Sequence, residues 1–150
     1  MAELRKLPYS QFNFLVDIGS NLTDPEYVGF QEVSGLGIEV AMAEYRNGNE
    51  VDNAPRKVPG LYKVTDVTLK RGVIGATDLY SWLDNVRTGV PEAFREVTIK
   101  LLSEDRQTTA LTWVLTNAYP MKYTAPTMSG TGAEVAIEEL VLACERITME

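Results

Sequence analysis

The chain has 150 residues, 45% of them apolar and 23% charged, the balance of a single globular domain spanning 1–150. Its formal net charge of −7 excludes a basic nucleic-acid groove, and the absence of histidine excludes Ser-His-Asp and Cys-His sites and the commonest metal ligand. One cysteine, Cys144, excludes an intrachain disulfide and fits a protein made in a reducing cytoplasm; no apolar run nears the ~20 residues of a membrane span.

Residues 1–11 read as an arm. Arg5 and Lys6 precede Pro8 before any hydrophobic period begins, and MAELRKLPYS has no apolar stretch of the signal-peptide kind. Phe12, Phe14, Val16 and Ile18 then alternate with polar residues, which predicts a strand, and Gly19-Ser20-Asn21 with Asp24-Pro25 predicts a turn. The run Phe30 to Arg46, FQEVSGLGIEVAMAEYR, is the centre of the pattern. Its even positions Leu36, Ile38, Val40 and Met42 are apolar and its odd positions Gly37, Glu39, Ala41 and Ala43 are small or charged, so one face is expected to meet a core and the other water. Gly35 and Gly37 predict a bulge or bend that joins two strand halves.

Residues 47–60, with two prolines and two glycines, are expected to form an extended loop that carries the basic pair Arg56-Lys57. Val64 to Val73 returns to strand. Leu79, Trp82, Leu83 and Val86 fall at i, i+3, i+4 and i+7, which predicts a helix between Thr77 and Thr88 anchored by Trp82, with Thr77 as its cap and Gly89 just past its end. Val97, Ile99 and Leu101 form a strand; Leu111, Trp113 and Leu115 form another, which Pro120 is expected to end. Glu134 to Ile147, apolar on both faces, is expected to be the longest run of all. About seven strands and one helix make a mainly β fold, two packed antiparallel sheets as a sandwich or partly closed barrel.

Candidate chemistry is sparse. No P-loop is present, and Gly35-Leu36-Gly37 does not complete GxGxxG. Cys144 lies in the apolar run LVLAC and reads as a small buried hydrophobe. Glu138 and Glu139 are adjacent on a strand and point to opposite faces, while Glu104 and Asp105 share a turn; both pairs are expected to meet solvent. Trp82 and Trp113 sit on apolar faces and read as core.

The ordered blocks GFQEVSGLGIEV, EYRNGNE, KVPG, VTLKRGV, LYSWL, TWVLTNAYPMKY and EVAIEELVLACERI resemble the tail tube proteins of contractile phages, above all the inner tube subunits of phage-like extracellular contractile injection systems. The resemblance runs from Phe12 to Ile147. It implies a two-sheet subunit with one helix, hexameric rings that stack into a hollow tube, and long strands joined edge to edge around a central barrel. The partners it implies are further copies of the chain, a contractile sheath protein, baseplate and tail-terminator proteins, and cargo or DNA passing through without specific binding. It implies no enzyme activity and no cofactor, and a place in an assembled virion or extracellular particle.

Set beside the residues, the resemblance makes Gly37, Glu39, Ala41, Ala43, Thr112 and Thr116 the expected lumen-facing set. Arg5, Lys6, Asn49, Glu50, Asp52, Arg56 and Lys57 are the expected ring-stacking set, and Leu79, Trp82, Leu83, Val86 and Trp113 the core and helix anchor. Runs 30–46 and 134–147 are expected to leave hydrogen bonding that neighbours must complete. The alternative is a monomeric β-sandwich module that binds a ligand with its 47–60 loop.

Overall fold

In the computed structural model, residues 4–19 and 29–150 are described. They form nine strands and one helix in the order β1 (Phe14–Asp17), β2 (Glu32–Ser34), β3 (Ile38–Tyr45), β4 (Arg56–Val64), β5 (Val67–Gly72), α1 (Asp78–Arg87), β6 (Arg95–Leu102), β7 (Thr109–Thr124), β8 (Ile137–Ala143) and β9 (Arg146–Met149). The expected turn at Asp24-Pro25 lies outside the described residues.

The sandwich is one continuous ladder folded over on itself. Its order is β1-β6-β7-β8-β5-β2, with β9 also on β7, and every pairing is antiparallel. The first half of β7 pairs with β6 and β9; its last residues, from Tyr119, pair with β8. β7 therefore belongs to both layers. The corner is marked by Asn117 at φ 52° and by register shifts at Arg95/Val97 and Pro120/Lys122, the irregularities by which a strand changes sheets. Pro120 does not end the strand, as its sequence suggested; it sits buried at the bulge, where a residue without an N–H is tolerated.

The 134–147 run is likewise two strands, β8 and β9, broken at Cys144-Glu145 as the chain crosses the same corner. β8 is a central strand, paired on one side with β5 and on the other with β7. Its apolar residues on both faces reflect that position, and its hydrogen bonds close within one chain, contrary to expectation. β7, with 16 residues, is the longest strand.

Alternation fixes which residues fill the interior. Val16, Val97, Ile99, Leu115 and Ile147 of the first layer meet Val67, Leu69, Leu140 and Leu142 of the second, with Leu79 and Trp82 of α1 packed against the same core. Each such side chain contributes about 1.5–3 kcal/mol by leaving water. Leu83 and Val86 are half-buried, and Trp113 is half-buried against the core, its ring lining a cleft between β1 and β2.

The helix ends as its sequence predicts and begins otherwise. Gly89 takes φ 82°; its N–H reaches Val86 O at 3.2 Å and Val90 N–H reaches Asn85 O at 3.0 Å, a Schellman closure that only a residue at ease with positive φ completes cheaply. Thr77 makes no side-chain cap. Asp78 in the first turn binds the buried guanidinium of Arg71 instead, which also donates from Nε to Glu138 Oε1 at 2.6 Å. Tyr123 donates its hydroxyl to the other oxygen of Glu138 at 2.6 Å, and that bond pushes the phenol up to about 12. Glu138 is thus buried, not solvated, while Glu139 faces outward across from Lys70.

Candidate functional site

Strands β3 and β4 form a separate two-stranded hairpin that projects from the sandwich. All eight residues of β3 are exposed, as are all of β4 except Val64. Register places Ile38, Val40 and Met42 opposite Val64, Tyr62 and Pro59 on one face, followed by the pair Glu44 and Lys57. On the other face Glu39 stands opposite Lys63, Ala43 opposite Val58, and Tyr45 opposite Arg56. The even face is apolar as the period indicates, yet Ile38 and Met42 are each 55% exposed. Among the described residues no core meets it. A period of two reports that a face is to be covered, not which chain covers it.

The hairpin is rooted by a kink. Gly35 takes φ 86°, and a Cβ there would stand 2.2 Å from the carbonyl oxygen of Asp66. The Thr65 hydroxyl donates toward Gly35 O and Gly37 O, and Thr65 N–H donates to Gly37 O at 3.1 Å. β2 and β5 below this point belong to the sandwich; β3 and β4 above it do not.

The tip is shorter than the expected 47–60 loop, because Arg56 to Gly60 are strand. Pro59 and Gly60 stand beside a register shift, where both residue types are accommodated. The tip is organised by a residue the sequence did not single out. Arg46 donates from Nε to Asp52 O and from Nη2 to Glu50 O, each at 3.0 Å, and Nη2 also reaches Asn53 Oδ1 at 3.5 Å. Asn47 Nδ2 donates to Glu50 Oε1 at 3.3 Å, Arg56 pairs with the same oxygen at 3.3 Å, and the Asp52 carboxylate accepts from Ala54 N–H at 3.0 Å. Asn49 is exposed.

The second projecting segment is the arm. Arg5 grips Glu104 with two parallel bonds of 2.8 Å, donates to Leu7 O and Pro8 O at 2.8 Å, and stacks 3.7 Å from the centre of the Tyr9 ring. Ser10 adds its N–H and hydroxyl to Glu104 Oε1. These bonds hold the Glu104 carboxyl down at about 2. Asp105, through bonds from Ser103, Gln107 and Thr108, is also held at about 2 and closes the β6–β7 turn. Neither carboxylate is simply solvated, as their place in a turn suggested. Arg5, expected to reach the next ring, is engaged within its own chain, while Lys6 is exposed.

The expected lumen set divides between two surfaces. Glu39, Ala41 and Ala43 are exposed on the hairpin, with Gly37 half-buried at its root. Thr112 and Thr116 are half-buried on the outward face of β7, in register with Lys100 and Arg146. Cys144 is half-buried against the core, and burial, with Asp66 nearby, pushes its thiol up, away from nucleophilic character. Among the described residues no helix is long and apolar enough to cross a membrane.

A folded-over ladder of this order, with a kinked hairpin standing clear of it, is shared with a chain of a solved sheath-tube complex. The chain belongs to the family of the T4-like virus tail tube protein gp19, which matches residues 10–148. It is a structural tube subunit of a contractile injection system. Among solved structures it is similar to a chain of the extracellular contractile injection system PVC sheath-tube complex in the extended state, with TM-score 0.81 and 32% identity over 95% of this chain and 91% of that one. It is also similar to a chain of the anti-feeding prophage cap structure (the tube terminating cap), with TM-score 0.84 and 26% identity over 100% and 95%. Hcp1 from Flavobacterium johnsoniae shares the fold at TM-score 0.56 and 16% identity over 91% and 93%. A comparison with curated proteins finds no match.

Proposed function

We propose that six copies close into a ring, that rings stack into a hollow tube, and that the β3–β4 hairpin is the element that joins one copy to the next. The observation that carries this reading is a hairpin exposed on both faces, one of them an apolar row of Ile38, Val40 and Met42. A two-stranded ribbon is at best marginal alone in water, and an exposed apolar strand is an aggregation hazard unless a closed assembly uses it. Burial at ~25 cal/mol per Å² of apolar surface makes even a modest contact worth several kcal/mol before association costs.

In this reading Lys6, Asn49, Glu50, Asp52, Arg56 and Lys57 lie at contacts between rings, with Arg5 fixing the arm that carries Lys6. Glu39, Ala41, Ala43, Thr112 and Thr116 supply polar or small lumen-facing positions that let cargo pass without sticking. A sheath surrounds the tube, and baseplate and terminator proteins cap its ends; the sheath-tube, cap and baseplate particles that contain similar chains support those partners and an extracellular particle as the destination. The subunit acts by position, not by chemistry, and lets its cargo pass without specific binding.

Val40→Asp combined with Met42→Asp tests the reading. The variant is expected to fold like wild type and to form no tubes by negative-stain electron microscopy. Full-length tubes from that variant would contradict it.

A further inference from the structure

We infer that the turn at the end of β3 modifies itself: the main-chain nitrogen of Gly48 closes onto the side-chain carboxamide of Asn47, and the imide so formed opens to aspartate or isoaspartate at position 47. The inference does not depend on the tube-assembly reading and concerns the chemistry of one exposed turn. Asn47-Gly48 is the one Asn-Gly pair in the chain. The ring that closes holds Cγ, Cβ, Cα and C of Asn47 and the nitrogen of Gly48, so nucleophile and electrophile are already tethered together. A following side chain ordinarily crowds that nitrogen. Gly48 has none, and a Cβ there would find nothing within 4 Å. Among the described residues the turn is closed by Glu50 N–H on Asn47 O at 3.1 Å, a bond that leaves Gly48 N–H unused and open to lose its proton to water.

An Asn-Gly pair by itself is only a sequence feature. The fold adds a grip on both ends of the carboxamide. The Tyr45 hydroxyl donates to Asn47 Oδ1, and Glu50 Oε1 accepts from Asn47 Nδ2 at 3.3 Å. Tyr45 stands two residues before Asn47 at the end of β3, so strand alternation sets both on one face. Attack at Cγ moves an electron pair onto Oδ1, and the hydroxyl already donates to the atom that turns negative, which is the placement of an oxyanion donor. Gly48 nitrogen gives its proton to water and its electron pair to Cγ. The tetrahedral carbon then collapses, the Cγ–Nδ2 bond breaks, and ammonia leaves with a proton from water. Water adds to one carbonyl of the imide and breaks its bond to nitrogen, so the sum is amide plus water to carboxylate plus ammonium, with nothing oxidised or reduced. Opening at the side-chain carbonyl gives aspartate. Opening at the main-chain carbonyl gives isoaspartate, and the carbonyl that receives Glu50 N–H then leaves the main chain. Either product sets a carboxylate against Glu50 where an amide donor stood, and like charges at that range repel. The turn loosens as the subunit ages.

The test follows the dissociated full chain in neutral buffer made with heavy-oxygen water, reading the tip peptide by mass spectrometry. Wild type is expected to exchange NH2 for OH at position 47 with one heavy oxygen, in aspartate and isoaspartate forms, while Asn49 and Asn53 stay amides over the same interval. Gly48→Ala is expected to slow the exchange by about tenfold or more, by returning a Cβ beside the nitrogen. Tyr45→Phe is expected to slow it by about threefold or more, the worth of one exposed hydrogen bond. A hydroxyl that merely stiffened the turn would act with the opposite sign, since its removal would free the side chain and speed the exchange. An unchanged or faster Tyr45→Phe variant would therefore overturn the role of Tyr45. A wild-type chain that keeps Asn47 intact while a synthetic peptide of residues 44–51 converts would overturn the site itself.

Discussion

At Gly35 a single missing side chain sets the direction of the β3–β4 hairpin. Its φ of 86° disfavours any L residue, and the Asp66 carbonyl occupies the space a Cβ would need. Gly35→Ala is expected to cost about 1–3 kcal/mol by denaturant unfolding, through strain at this position, and to shorten tubes by turning the hairpin. The glycine pair was legible in the sequence as a bend, because glycine reports local backbone need.

Charged partners distant in the chain were not legible. Glu138 lies 67 residues from Arg71, and Glu104 lies 99 from Arg5. Adjacent acids read as solvated until folding brings a guanidinium to them. Arg71→Met is expected to destabilise the subunit by about 3–5 kcal/mol in the same measurement, since Asp78 and Glu138 would lose the buried cation between them. The arm gives a pH dependence of definite sign. The Glu104 carboxyl sits at about 2 when folded, below its ordinary value near 4.3, so its contribution is complete above that ordinary value and is lost as pH falls toward 2. Hydrogen exchange of residues 5–10 is expected to lose protection between about pH 4 and pH 2 relative to an Arg5→Ala control that shows none.

Elements were read best where their cause is local. The helix stripe, its Gly89 terminus and the core alternation of β5, β6 and β7 follow from periodicity and turn chemistry. Three boundaries did not. β4 was hidden by Pro59 and Gly60, β7 runs on through Pro120, and the 134–147 run splits at a corner, each because a register shift or a change of sheet accommodates a residue that breaks a regular strand. The hairpin's apolar face was legible as a face; that no core among the described residues covers it was not. A pair of substitutions separates the two kinds of apolar position. Leu115→Ala is expected to lower subunit stability by about 2–5 kcal/mol, because Leu115 is fully buried between the layers. Val40→Asp is expected to change it by less than about 0.5 kcal/mol, as for other exposed sites, and yet to prevent tube assembly.

On the scale of the molecule, the inner strands of the sandwich are paired on both sides within the chain, while both faces of the hairpin stay exposed among the described residues. β8, expected to need a neighbour, is paired on both sides within the chain, so in the proposed assembly the contact with a second copy is assigned to β3 and β4. A cryo-electron microscopy map of the assembled tube decides this most directly. The even face of β3 should lie against residues of adjacent copies, with Ile38, Val40 and Met42 sealed from solvent, while Glu39, Ala41 and Ala43 stay open to the lumen. A tube in which those three side chains stay open to water, or are covered only by their own chain, would contradict the account.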